Sequence, residues 1–223
     1  MLRVPEPELM LDPAQARAYA AADFAEPHER FVALLGQKLR ALPPTGSALD
    51  LGCGPGDPTL RLARALPGWQ VEGVDGSPAM LALAREAASA AGLAARVRFH
   101  EARLPELPAA LAGRRFELVL SNSLLHHLAD SAVLWEAVRR CAASGASVFV
   151  MDLLRPPSVE AARALVDRYA ASEPDVLRRD FFHSLCAAYR PDEAHGQLRR
   201  AGLDGLACEV VSDRHLLVWG SLS

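Results

Sequence analysis

Three glycines and two acids carry the most pointed chemistry in this sequence. Gly52, Gly54 and Gly56 fall in the run LDLGCGPGD, with Asp50 two residues ahead of the first glycine. Glycines at this spacing let a chain turn sharply off a strand and approach a ligand without a Cβ in the way. A helix beginning near Asp57 offers unpaired N–H groups at the same place. The spacing is GxGxG, where a dinucleotide turn has GxGxxG and holds pyrophosphate. An acid at Asp50 would repel pyrophosphate and suits a cationic amine. Asp75 closes the next strand, where a parallel sheet places an acid that accepts both hydroxyls of a ribose. The pattern therefore fits an adenosine bearing an amino acid. Two adjacent histidines, His126 and His127, follow a later strand and are candidate bases, since imidazole changes protonation near neutral pH. The residues leave the choice between them open.

These groups need a scaffold. Pro13 to Phe24 is alanine-rich and helix-forming, and His28 to Leu42 reads as a second helix, stopped by Pro43-Pro44. From Ser47 onward strands and helices alternate. The strands are expected at Ser47–Leu51, Trp69–Val74, Arg96–His100, Phe116–Ser121 and Ala146–Leu153, and the helices at Asp57–Leu66, Pro78–Ala91 and Ser131–Ala143. Strands joined by helices of this length imply right-handed crossovers and a parallel sheet covered on both faces. After Leu154 come helices at Ser158–Ala171, Pro174–Tyr189 and Asp192–Ala201, then a hairpin of Leu206–Val211 and Arg214–Trp219.

The runs LDLGCGPGDPTLRLA, VEGVDGSPAMLALAR and FELVLSNSLLHHLAD, in that order, with CEVVSDRHLLVWG as a reversed final hairpin, closely resemble the class I S-adenosylmethionine-dependent methyltransferases over residues 45–220. The resemblance implies an α/β three-layer sandwich: a mostly parallel seven-stranded sheet with an antiparallel final hairpin, in one domain over 1–223. Residues 1–44 would be a helical cover and 155–190 a helical lid. It implies S-adenosyl-L-methionine as cofactor, with Gly52, Gly54, Gly56 and Gly76 lining it. Asp50 would serve the amino end, Asp75 the ribose, Met80 the adenine, and Ser121 and Asn122 the methionine part. One departure stands out. Where the family commonly has an Asp-Ala pair for the adenine amine, this chain reads His100-Glu101-Ala102-Arg103-Leu104. Either Glu101 takes that contact, or Arg103 covers the ring while the Leu104 amide meets its edge. Tyr19 would close over the cofactor. Phe24, Arg155, Phe182 and Tyr189 are candidate acceptor ligands.

Composition narrows the acceptor. The 223 residues have a formal net charge of −3, and Lys38 is the only lysine. The pI is near 6.2. No basic excess points to nucleic acid. No run reaches the roughly 18 apolar residues of a membrane helix. Cys53, Cys141, Cys186 and Cys208 form no CxxC pair, and no His/Cys cluster has zinc spacing, so no metal is expected. The expectation is a cytoplasmic enzyme that methylates oxygen, nitrogen or carbon of a small molecule, able to form a homodimer through its edge hairpin. A methyltransferase acting on tRNA or another macromolecule, and a cofactor-binding protein without turnover, are the alternatives. An NAD oxidoreductase fits neither Asp50 nor the GxGxG spacing.

Overall fold

The computed structural model describes residues 1–6, 12–40 and 42–222. Ala41, near the expected end of the second helix, and residues 7–11 of the expected cover lie outside them. Two N-terminal helices, α1 (Pro13–Ala21) and α2 (Ala25–Lys38), precede the sheet. The alternation then runs β1 (Gly46–Leu51), α3 (Asp57–Ala65), β2 (Trp69–Asp75), α4 (Pro78–Ala90), β3 (Val97–Glu101), β4 (Phe116–Asn122), α5 (Ala132–Cys141) and β5 (Ala142–Leu153). Helices α6 (Val159–Tyr169), α7 (Asp175–Ala187) and α8 (Pro191–Arg200) follow, then the hairpin β6 (Ala207–Val210) and β7 (His215–Ser221). The strands make one seven-stranded sheet in the order β3-β2-β1-β4-β5-β7-β6, with β7 antiparallel to both of its neighbours. Because β2 and β4 flank β1 on opposite sides, the crossovers part there and leave a crevice at the carboxyl ends of β1 and β4.

Side-chain alternation explains the layers. Leu49, Leu51, Val119, Val148 and Val150 point to one face, against Trp135 and Val138 of α5 and Leu198 of α8. Ala48, Leu118, Leu120, Phe149 and Met151 point to the other, against Phe31 and Leu35 of α2 and helices α3 and α4. Strands buried on both faces must be largely apolar, as these are save for Asp50, Ser121 and Asp152 near their carboxyl ends. Phe31 meets Phe149 edge-on at 5.2 Å between ring centres, which seats α2 on the sheet.

Several element boundaries differ from the sequence reading, three of them with a plain cause. α1 stops at Ala21, short of the expected Phe24, and Asp23 Oδ1 accepts from Ala25 N (3.0 Å), so α2 starts at Ala25, ahead of the expected His28. β5 starts at Ala142, four residues before the expected Ala146, because Ala142 pairs with Phe116 ahead of a register shift. No helix among the described residues is long and apolar enough to cross a membrane.

The pair α6 and α7 stands beside the end of β5, with Leu153, Ala162, Val166 and Leu185 forming a small core of their own. Against it lies the N-terminal strap. Val4 N donates to Cys186 O (3.0 Å), and the Arg3 guanidinium donates to the carbonyls of Ala187, His126 and Leu128 while stacking over Tyr189.

Burial pushes the His215 imidazole down to about 4, with neighbouring Arg214 adding to the shift. The unfolded chain takes up a proton near pH 6.5, the folded chain only near 4. The contribution of His215 to folding stability therefore declines as pH falls between those values, by up to about 3 kcal/mol, and is level below them. Urea unfolding at about pH 7 and pH 4.5 should show the wild type losing more stability on acidification than His215→Gln.

Candidate functional site

The glycine turn is built by close backbone approach. Gly52 N and Cys53 N both donate to Val74 O, at 2.8 and 3.1 Å, tying the turn after β1 to the end of β2. Gly52 has φ +72°, and a Cβ there would lie 2.7–2.9 Å from Leu124. Gly54 has φ +53°, and a Cβ there would meet nothing within 4 Å. The first glycine is needed for packing, whereas the second leaves the surface bare at the cavity wall.

Asp75 joins the two turns. Its Oδ2 accepts from Gly54 N (2.9 Å) and its Oδ1 from Ser77 N (2.8 Å). Burial raises its carboxyl group above the ordinary range, against the opposing pull of these N–H groups. Ser77 then caps α4 by accepting from Met80 N (3.3 Å). Asp50 sits under the turn. Its Oδ2 accepts from Thr59 Oγ1 of α3 (2.6 Å), while the buried Oδ1 has no partner among the described residues. Burial pushes Asp50 up to about 7, with Thr59 opposing and Asp75 adding.

A cavity of about 710 Å³ opens over these groups. Gly52, Gly54, Asp75, Gly76, Met80, Arg103 and Leu104 form one part of its wall. Asn122, Ser123, Leu124, His127 and Leu128 form another. Tyr19, Phe24 and His28 cover it as a run of rings, with centres 4.8 and 5.6 Å apart. Burial drives the Tyr19 hydroxyl up to about 12, and the Asp75 charge adds to this. At the rim, His28 Nδ1 and Arg61 Nε both lie 2.7 Å from Asp57 Oδ2. Burial alone would raise Asp57, but these partners hold it below its usual value.

The two histidines occupy a 3-10 turn, Leu125–His127, just after β4. Asp152, buried near the end of β5, organises that turn. Its Oδ2 accepts from Leu125 N (2.7 Å), and its Oδ1 lies 2.7 Å from His126 Nδ1 and accepts from Leu153 N (2.8 Å). Burial would lower His126, but Asp152 outweighs it and raises the imidazole. His127 is the half-open member, with 31% of its side chain exposed. Glu6 of the strap reaches both rings: its Oε1 is 3.1 Å from His127 Nδ1 and 3.5 Å from His126 Nε2. Burial would raise Glu6, yet the histidines and Ser184 hold it below the usual carboxylate range.

The structure thus brings Tyr19, Phe24, Gly52, Gly54, Asp75, Gly76, Met80, Arg103, Leu104, Asn122 and His127 to one cavity. The other candidates lie elsewhere. Asp50 is one layer beneath, as is Gly56, which begins α3 at φ +89° and packs on Ala84 and Phe99. Ser121 is fully buried, its Oγ donating to Leu51 O (2.7 Å). His126 is sealed behind His127. Arg155 is no free anion ligand: it is 4% exposed and binds Glu193 (2.6 Å) and Ala188 O (3.2 Å). Tyr189 belongs to the main core, with its hydroxyl on Leu128 O (3.3 Å). Phe182 packs on the core of α6 and α7. Glu101 is exposed on β3, and Arg103 and Leu104 take the wall instead.

Sequence reading missed Glu6, Thr59, His28, Leu124 and Asp152. Asp152 had a signal, an acid ending the apolar run SVFVMD. Glu6 had none.

Residues 48–145 match the family described as "Methyltransferase domain". Trans-aconitate 2-methyltransferase of Methylobacterium radiotolerans is 36% identical over 136 residues, 57% of this chain and 45% of that one. The 27-O-demethylrifamycin SV methyltransferase of Amycolatopsis mediterranei is 31% identical over 167 residues, 74% of this chain and 56% of that one. The chain thus spans about half the length of these curated relatives. A crystal structure of a SAM-dependent methyltransferase from Aquifex aeolicus superposes with TM-score 0.68 at 17% identity, over 96% of this chain and 100% of that one. By these matches residues 48–145 carry a methyltransferase domain, and the fold of the chain is that of a solved S-adenosylmethionine-dependent methyltransferase.

The two leading glycines should respond differently to alanine. Gly52→Ala must displace Leu124 as well as adopt positive φ, and should cost about 2–4 kcal/mol of stability. Gly54→Ala meets only the conformational penalty of about 1–2 kcal/mol. Thermal and urea unfolding of the two variants checks the order.

Proposed function

We propose that the protein transfers a methyl group from S-adenosyl-L-methionine to an oxygen, nitrogen or carbon nucleophile of a small molecule. The observation that carries this reading is the junction of the glycine turn with Asp75, set on the cavity wall above the unpartnered oxygen of Asp50. The residues fit the cofactor. A bare Gly54 surface admits a ligand, an ionisable acid lies below it, and Asn122 Oδ1 is buried on the same wall without a hydrogen-bond partner among the described residues.

Bound S-adenosylmethionine supplies a methyl group already activated on a sulfonium, so the chain's task is to align and desolvate. Asp75 accepts the ribose hydroxyls with a carboxylate held rigid by two backbone N–H groups. Met80, Arg103 and the Leu104 amide hold the adenine. Asp50 and Asn122 serve the amino acid end, Asp50 through the turn above it. Tyr19 and Phe24 close the site, and their ring faces suit a nearby sulfonium charge. His127, exposed to the cavity beside Asn122, acts on the acceptor. A ring-covered cavity and a net charge of −3 support a small acceptor over tRNA.

Titration calorimetry with S-adenosylhomocysteine tests the reading. Asp75→Ala should weaken binding by about 1–3 kcal/mol, since the ribose loses a charged acceptor. Gly54→Val should abolish binding in a chain that still folds. Unchanged affinity in both variants, or a preference for NAD, would overturn the assignment. Asp50 adds a pH signature. Near pH 6.5 its carboxyl is largely protonated, and a neighbouring ammonium favours the ionised form. Binding at that pH should expel a proton, seen as a heat that varies with the buffer's ionisation enthalpy, and Asp50→Asn should remove that part.

A further inference from the structure

We propose that Glu6, His126 and His127 form a binding site for one divalent transition-metal ion of the zinc class, at the acceptor side of the cavity. Glu6 Oε1, His126 Nε2 and His127 Nδ1 all lie within 4.8 Å of one another. The two Glu6 edges, 3.1 and 3.5 Å, lie at and just below the roughly 3.3–3.6 Å that separates donors held at about 2.0–2.2 Å around a tetrahedral ion.

The orientation of the donors distinguishes this cluster from an ion pair. A histidine paired to a carboxylate aims an N–H at an oxygen. Here His127 Nδ1 is buried and, although 3.1 Å from Glu6, has no aligned hydrogen bond. His126 Nε2 stands 3.5 Å from the same oxygen, beyond a normal hydrogen bond. Three donor atoms therefore converge without a well-aligned hydrogen bond between them among the described residues. Their supports are those of a metal site. The far nitrogen of His126 is fixed by Asp152 at 2.7 Å, the carboxylate–histidine arrangement that orients a metal ligand. Ser184 Oγ donates to both oxygens of Glu6, at 3.0 and 3.3 Å.

Two imidazole nitrogens and one carboxylate oxygen suit zinc and its borderline neighbours, whereas magnesium and calcium prefer oxygen alone. Three protein ligands are also the set of a catalytic zinc, which keeps a further position for a small ligand. His127 belongs to both the triad and the cavity wall, so an oxygen acid, a hydroxyl or a carboxylate, is the acceptor class such an ion would take. That acceptor class rests on the methyltransferase reading; the metal site does not.

Tag-free protein stripped with a chelator and titrated with Co²⁺, a spectroscopic stand-in for Zn²⁺, tests the site. The wild type should bind one equivalent, with visible d–d bands and no thiolate charge-transfer band, and Zn²⁺ should displace it. Glu6→Gln and His127→Gln should each weaken binding about tenfold or more. Circular dichroism and S-adenosylhomocysteine binding check that both variants fold. Absence of saturable Co²⁺ binding, a thiolate band from one of the cysteines, or wild-type affinity in both variants would overturn the proposal. Co²⁺ binding that follows this pattern in a protein unable to bind S-adenosylhomocysteine would uphold the metal site and discard the methyltransferase reading.

Discussion

The carboxylate of Asp152 is the point on which the histidine turn and its side of the cavity depend. It is 1% exposed, and it is reached by two backbone N–H groups and one imidazole. A buried acid so placed must keep its donors, because losing one leaves an unsatisfied charge at a cost of several kcal/mol. The strand that carries it, β5, is held on both sides, by β4 and by β7. That rigidity passes through Asp152 to the turn after β4. The turn fixes His126, and His126 leaves His127 no direction but the cavity.

The cofactor side depends on a different economy, in which backbone does most of the work. Val74 O receives two N–H groups from the glycine turn, and Asp75 receives one from each of two loops. The wall that faces a ligand is thus defined by short-range hydrogen bonds between chain segments adjacent in the sheet. Only Asp50 breaks the pattern. It lies on the same strand face as Ala48, toward α2 and α3, and so is carried below the turn.

This division explains what could be read from the sequence. The glycine turn, Asp75 and Met80 were legible because their chemistry is local: a strand end, a turn and a helix start within thirty residues. The seven strands were legible because each is a short apolar run between turn residues. Arg155 misled for an equally physical reason. A charge at a strand's carboxyl end is a good ligand unless something cancels it, and Glu193, which does so, lies 38 residues away. Tyr189 and Phe182 look like acceptor ligands in a linear string but supply packing between layers. Asp50 lies one layer beneath the cavity rather than on its wall, since strand alternation decides the face and a linear string does not show the register. Glu6 could not be found at all, because nothing near it in sequence predicts that it meets a pair of histidines 120 residues on.

The strap that carries Glu6 also orders events in time. Arg3 and Val4 bond to backbone that includes Cys186 and Ala187, so this segment finds no partners until most of the chain has followed. Contacts of such sequence separation form late, after the loop entropy between them has been overcome. The parallel strands β1 to β5 end at Leu153, so they and the glycine turn can take shape before the strap's partners at Cys186 and Ala187 are in place. During folding the glycine-turn half of the cavity should therefore form first and the histidine half last, two halves of one cavity with different birthdays.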